Sequence, residues 1–219
     1  MSNIPTLPKH PPHLEALFQQ LDPLKQRLIF GVDATASRQP TWDMAAKLTA
    51  EMFRVAAANG GLELQLVHYL GERECNASRW MSDARALTAA MTGVMCAAGP
   101  TQIGRVLAHA HTEDRRRKIA AVVLVSDACE ENPLELYATA RRLDGVPVFL
   151  FQEGTDEQVA GIYSAIAAIT GGASSRFDAG AAARLADLLR AVAAFATGGR
   201  RALAAEKTEA AQLLLTQLK

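Results

Sequence analysis

Apolar residues follow two rhythms along the chain. Short, near-continuous runs at Arg27–Val32, Ile119–Val125 and Val146–Phe151 predict strands buried on both faces, as in a parallel sheet. Ile119–Val125 is the most apolar of them and is expected at the centre. Leu62–Tyr69 alternates apolar and polar positions, which predicts a strand nearer a sheet edge, and Ser174–Phe177 reads as a short strand. Between these runs, apolar positions recur at helical spacing. Helices are expected over Trp42–Ala58 behind a Thr41 cap, from a Ser82 cap to about Ala97, and from Thr101 through Ile103, Val106, Leu107 and Ala110. Further helices are expected over Leu134–Leu143, Asp156–Thr170 and Ala181–Ala196, the last two stopped by glycine pairs. The stretch from Gly71 to Asn76 reads as a polar connection. Strand and helix alternate throughout, which argues for an α/β fold with a mostly parallel central sheet and helices on both faces.

Both ends differ from this middle. Residues 1–25 carry Pro5, Pro8, Pro11 and Pro12, which predict an extended arm, followed by a short helix at Leu14–Phe18. Residues 26–199 form the main domain. Residues 200–219 predict a leucine-rich helix, with Leu203, Leu213, Leu214 and Leu218, that either packs on its own domain or serves as a docking or dimer helix.

Composition narrows the function classes. The 219 residues are 49% hydrophobic with a formal net charge of +0, so no global field favours nucleic acid. The run Arg115–Lys118 has no interleaved aromatic groups and reads as a solvated connection. No segment offers about 20 consecutive apolar residues, so no membrane partner is expected. Three cysteines without C-x-x-C spacing argue against a disulfide framework or a zinc site and fit a reducing compartment. With no apolar leader at Met1–Lys9 and an alanine-rich composition, a bacterial cytoplasm is the expected location.

The candidate chemistry lies where strands end. Asp33, Thr35 and Ser37 follow the first strand as Asp-x-Thr-x-Ser. Thr101 lies in the turn Gly99-Pro100-Thr101, and Asp127 follows the central strand. In open α/β sheets, ligands bind beyond the carboxyl ends of the strands where strand order reverses. Two carboxylates brought together there repel, and a divalent cation relieves the repulsion. Singly, each residue has a plainer reading: Asp33 as a helix cap, Thr101 as an N-cap, Asp127 as the start of a turn.

Together these residues resemble a von Willebrand factor type A domain with its metal-ion-dependent adhesion site, over roughly residues 26–197. The resemblance implies a Rossmann-like sheet with Mg²⁺ (or Mn²⁺) at its top, held by Asp33, Thr35, Ser37, Thr101 and Asp127. It also implies a non-enzymatic protein-binding module in which a partner's Asp or Glu completes the coordination. Partners of a bacterial intracellular member would include an AAA+ ATPase or another product of a multi-gene system. The chain departs from the pattern at Ala36, Arg38, Pro100 and Ala128, none of which removes a ligand. Cys129-Glu130-Glu131 adds charge at the rim and reads as a solvated loop.

Two other functions stand beside this one. A Mg²⁺-dependent phosphatase or phosphotransferase also uses an Asp after the first strand, but haloacid-dehalogenase-like enzymes need a second Asp where Thr35 stands. Receiver domains need an acidic pair there and a later Lys, whereas Gln152-Glu153 follows Phe151. No phosphate-cradling glycine motif is present. His68, near the end of the second strand, is the histidine best placed to matter. The remaining alternative is a metal-free scaffold that binds through its tail helix or proline arm.

Overall fold

The computed structural model describes residues 25–35, 52, 55–56, 61–178 and 181–218. The expected proline arm, the short helix expected at 14–18, Ser37 and Arg38 lie outside the described residues. Of the helix expected over 42–58, Met52, Val55 and Ala56 are described; they are helical, and Met52 and Ala56 are fully buried.

The strands are β1 (Gln26–Asp33), β2 (Leu62–Leu70), β3 (Glu74–Ala77), β4 (Ala121–Ser126), β5 (Val148–Glu153) and β6 (Ala173–Phe177). The helices are α1 (Ala84–Thr92), α2 (Ile103–Arg116), α3 (Pro133–Ala140), α4 (Glu157–Thr170), α5 (Ala182–Ala205) and α6 (Glu209–Gln217). Among the described residues the strands form one sheet in the order β3-β2-β1-β4-β5-β6. Every neighbouring pair is parallel except β2 with β3. From β1 the chain builds outward to β2 on one side and then returns to add β4 on the other. Strand order therefore reverses between β1 and β4, where a crevice opens beyond the carboxyl ends.

The strands at this switch point are buried on both faces, as their apolar runs require. Leu28, Phe30 and Val32 of β1 face one core, with α5 and α6. Ile29 faces the other, with Val106 and Leu107 of α2 and with Leu136, Ile162 and Tyr163 of α3 and α4. Gly31 lies beneath α2. A Cβ there would stand 2.5 Å from Leu124 Cδ2 and 3.1 Å from Val106 Cγ1, so the missing side chain lets the helix sit close to the sheet.

The sequence pattern and the structure differ at several places. The connection after Leu70 contains β3, an antiparallel edge strand that pairs His68 with Asn76 and Tyr69 with Cys75. Its pairing is made by the backbone, and Glu-Cys-Asn-Ala has no apolar rhythm to reveal it. α1 ends at Thr92 rather than near Ala97, because Gly93 caps it. α2 starts at Ile103, and Thr101 does not cap it. Gly199 kinks α5 without ending it, and helical pairing resumes to Ala205. Arg115 and Arg116 belong to the last turn of α2 rather than to a connection. Arg116 pairs with Glu113, Arg117 with Glu63, and Lys118 with Asp114.

The chain beyond Gly199 folds against the domain. Leu203, Ala210, Ala211 and Leu214 are buried in the same core as β1. The Gln217 side-chain amide donates to Ser174 O at 2.9 Å and accepts from Ser174 N–H at 2.9 Å. A side chain thus occupies backbone positions that an edge strand leaves open. No described helix is long and apolar enough to cross a membrane.

The crowding at Gly31 sets the first test. Gly31→Ala forces Leu124 or α2 to move and is expected to lower unfolding stability by about 1–3 kcal/mol, with Gly31→Val costing more. Urea denaturation of the two variants against the parent measures this.

Candidate metal centre

Asp33 is the last residue of β1 and is 1% exposed. It pairs laterally with Tyr69 of β2. On its other side the register pairs Val32 with Val125, which brings Ser126 of β4 level with it. Burying a carboxylate is costly unless it is hydrogen-bonded, and two neighbours supply bonds, one of them backed by a third residue. The Thr35 N–H donates to Asp33 Oδ1 at 2.8 Å, and the Ser126 hydroxyl donates to Oδ2 at 2.8 Å. Tyr69 O–H in turn donates to Ser126 Oγ at 3.1 Å. Burial, reinforced by the charge of Asp33, pushes the Tyr69 phenol well above its ordinary range and keeps it a donor. Each Asp33 oxygen retains lone-pair capacity beyond these bonds.

Thr101 arrives from a different direction. Its turn packs so closely over the β2–β3 connection that a Cβ on Gly99 would fall 2.1 Å from Gly71 O. Gln102 Nε2 donates to the carbonyls of Leu70 and Gly71 at 3.3 and 3.1 Å, tying the same two segments. Thr101 itself is 4% exposed and exchanges two bonds with Glu130. Its N–H donates to Glu130 Oε2 at 2.9 Å, and its Oγ1 accepts from Glu130 N–H at 3.1 Å. Glu131 then caps α2, accepting from Ile103 N–H at 2.5 Å and Gly104 N–H at 2.8 Å. These bonds fill donors that a helix start leaves unsatisfied.

Asp127 follows β4 and is partly buried. The loop it begins is pinned from α4, where Tyr163 O–H donates to Ala128 O at 2.9 Å. Asp33, Thr35, Thr101 and Asp127 line one cavity of about 300 Å³, together with Ala98, Gly99, Ala128 and Glu130. Ser37 lies outside the described residues. Four side chains from three separate segments thus meet at the switch point.

The chemistry of this cavity is that of oxygen. Its side-chain donors are carboxylates and hydroxyls, which fits a hard cation such as Mg²⁺ or Mn²⁺ and gives a soft one no sulfur. Among the described residues no three His, Cys, Asp or Glu side chains gather closely enough to hold a metal by themselves. A cation here would draw on the hydroxyls and on water as well. Burial pushes the neighbouring Cys129 thiol up to about 11, so it stays protonated. Burial also raises the Glu131 carboxyl above its usual value, although its two backbone donors pull the other way. His68 does not line the cavity, and His109 is occupied by Gln65 at 2.8 Å.

Four supporting residues escape the sequence pattern. Tyr69 looks like one more apolar position in an alternating strand, and Ser126 is visible only as the neighbour of Asp127. Glu130 and Glu131 read as a solvated loop, whereas the structure engages both with the α2 end.

Comparison with solved structures decides the fold. Over 80% of its length the chain matches a von Willebrand factor type A protein from Catenulispora acidiphila, with a TM-score of 0.60 and 21% identity. The chain has the von Willebrand factor type A fold. It also matches the von Willebrand factor type A domain of SpRpn10 (TM-score 0.57, 12% identity, 71% of this chain and 89% of that one). A third match is proximal thread matrix protein 1 from the mussel byssus, solved with a zinc-occupied metal-ion-dependent adhesion site (TM-score 0.54, 15% identity, 77% of this chain). The chain spans 43% of the Catenulispora structure and 45% of the mussel one, less than half of either. No family model matches the sequence, and no curated protein matches it.

Within this von Willebrand factor type A fold, Ser126 joins two buried groups. Ser126→Ala leaves Asp33 Oδ2 and the Tyr69 hydroxyl without their shared partner and is expected to cost about 1–3 kcal/mol. Ser126→Thr, which keeps the hydroxyl, is expected to recover part of this. Urea midpoints of the two variants decide it.

Proposed function

We propose that this chain is a non-enzymatic, divalent-metal-dependent protein-binding module. Asp33, Thr35, Ser37, Thr101 and Asp127 hold Mg²⁺ or Mn²⁺, and a carboxylate from a partner protein fills an open coordination position. The observation that carries this reading is that Asp33, Thr35, Thr101 and Asp127 line one oxygen-rich cavity at the sheet's switch point. The zinc in the adhesion site of the mussel protein supports a metal at this place in the fold.

No described histidine or activated thiol lines the cavity; its titratable side chains are the carboxylates of Asp33, Asp127 and Glu130.

Calorimetry with Mg²⁺ and Mn²⁺ tests the metal. Binding is expected in the parent chain, and Asp33→Ala, Thr101→Ala and Asp127→Ala are each expected to weaken it about tenfold or more, roughly 1.4 kcal/mol per lost ligand. Partner capture from the native host is expected to disappear with a chelator and to return with added Mg²⁺. Unchanged binding and capture in all three variants would refute the reading.

A further inference from the structure

Thr101 is nearly fully buried and is held from outside its own turn. Two hydrogen bonds tie it to Glu130, one at its backbone N–H and one at its hydroxyl. The Glu130 carboxylate holds the Thr101 backbone N–H, while the Glu130 backbone N–H takes one lone pair of Oγ1. A hydroxyl has two acceptor positions and one proton. With one acceptor position taken by a fixed N–H, the other is directed, and it belongs to an oxygen that lines the cavity with Asp33 and Asp127. Glu131, the next residue, adds two bonds to the start of α2. The loop after Asp127 and the turn before α2 are thereby locked to each other.

We propose that Glu130 is a positioning residue for the cation site: its carboxylate holds the Thr101 backbone and so fixes the spacing between the segments carrying Thr101 and Asp127. It acts through hydrogen bonding rather than through its charge. This inference rests on the metal-binding reading above and assigns a residue outside the five expected ligands.

The test is a titration of the full chain with Mn²⁺ alone, following free Mn²⁺ by electron paramagnetic resonance. Glu130→Ala removes the carboxylate bond to Thr101 N–H. Glu130→Gln keeps an oxygen able to accept it but removes the charge. Glu130→Ala is expected to weaken Mn²⁺ binding roughly tenfold, in the range seen when a partner of a metal ligand is lost. Glu130→Gln is expected to stay within about threefold of the parent. Urea midpoints confirm that both variants are folded at the titration temperature. Parent-like affinity in Glu130→Ala overturns the proposal, because the bond would then be structural only. Equal loss in both variants also overturns it, because charge would then be the cause. Failure of the parent chain itself to bind Mn²⁺ removes the metal reading and this inference together. That outcome is distinguishable, since the other two require a parent that binds.

Discussion

The buried carboxylate of Asp33 is the constraint around which this molecule is built. An anion at 1% exposure is tolerable only where donors converge on it. Here they come from its own loop, from β4 and, through Ser126, from β2. A one-residue slip of β4 against β1 would turn the Ser126 side chain to the opposite face and break the row. The register of the three central strands and the polarity of the site are therefore one requirement. The adjoining backbone repeats it, since Ala34 N–H donates to Tyr69 O and Ala34 O accepts from Ala97 N–H. The segment leading into the Thr101 turn is tied to the same point.

Helix α2 carries this order across the domain. Its amino end is capped by Glu131 and adjoins Glu130, while its carboxyl end holds Arg115 and Arg116. Both placements agree with the helix dipole, which favours anions at the start and cations at the end. The cations are largely engaged by the chain's own acids, and at the same end the guanidinium of Arg27 stacks 3.6 Å from the centroid of Trp80. The basic run that stands out in the sequence is thus part of the clamp between α2 and the starts of β1 and β2. The close approach that Gly31 permits keeps the whole helix at the height where its first turn meets the cavity.

What was legible in the sequence was what local pattern encodes. β1, β4 and β5 announce themselves because strands buried on both faces must be apolar without interruption. Asp33, Thr35, Thr101 and Asp127 are legible because each follows or precedes an obvious element boundary. β3 is not, since its ladder to β2 is made by backbone groups that any sequence carries. The work of Glu130 and Glu131 is also invisible, because their acceptors meet N–H groups 27 to 29 positions away in the chain. A charged pair on a loop looks the same whether it faces water or the start of a helix. The tail is an intermediate case. Its leucines mark a helix, but the two-way bond between Gln217 and Ser174 depends on where β6 lies in the sheet.

Rigidity in the cradle bears on which cation suits it. Each of the three segments is tied down without help from a metal: the first by Ala34 and Thr35, the second by Thr101 and Gln102, the third by Tyr163 on Ala128. Most of the ordering cost is thus met by folding, and little is left for binding. A fixed set of few protein oxygens, two of them hydroxyls among the described residues, cannot rearrange to surround a large ion. Ca²⁺ seeks six to eight oxygens in a flexible shell, whereas Mg²⁺ accepts a few protein ligands and keeps several waters. On the proposed reading the pocket therefore suits the smaller ion, and its retained waters are the positions an incoming carboxylate would take. The same bonds couple the segments of the cavity, since the Glu130 contacts tie the loop after Asp127 to the turn that carries Thr101.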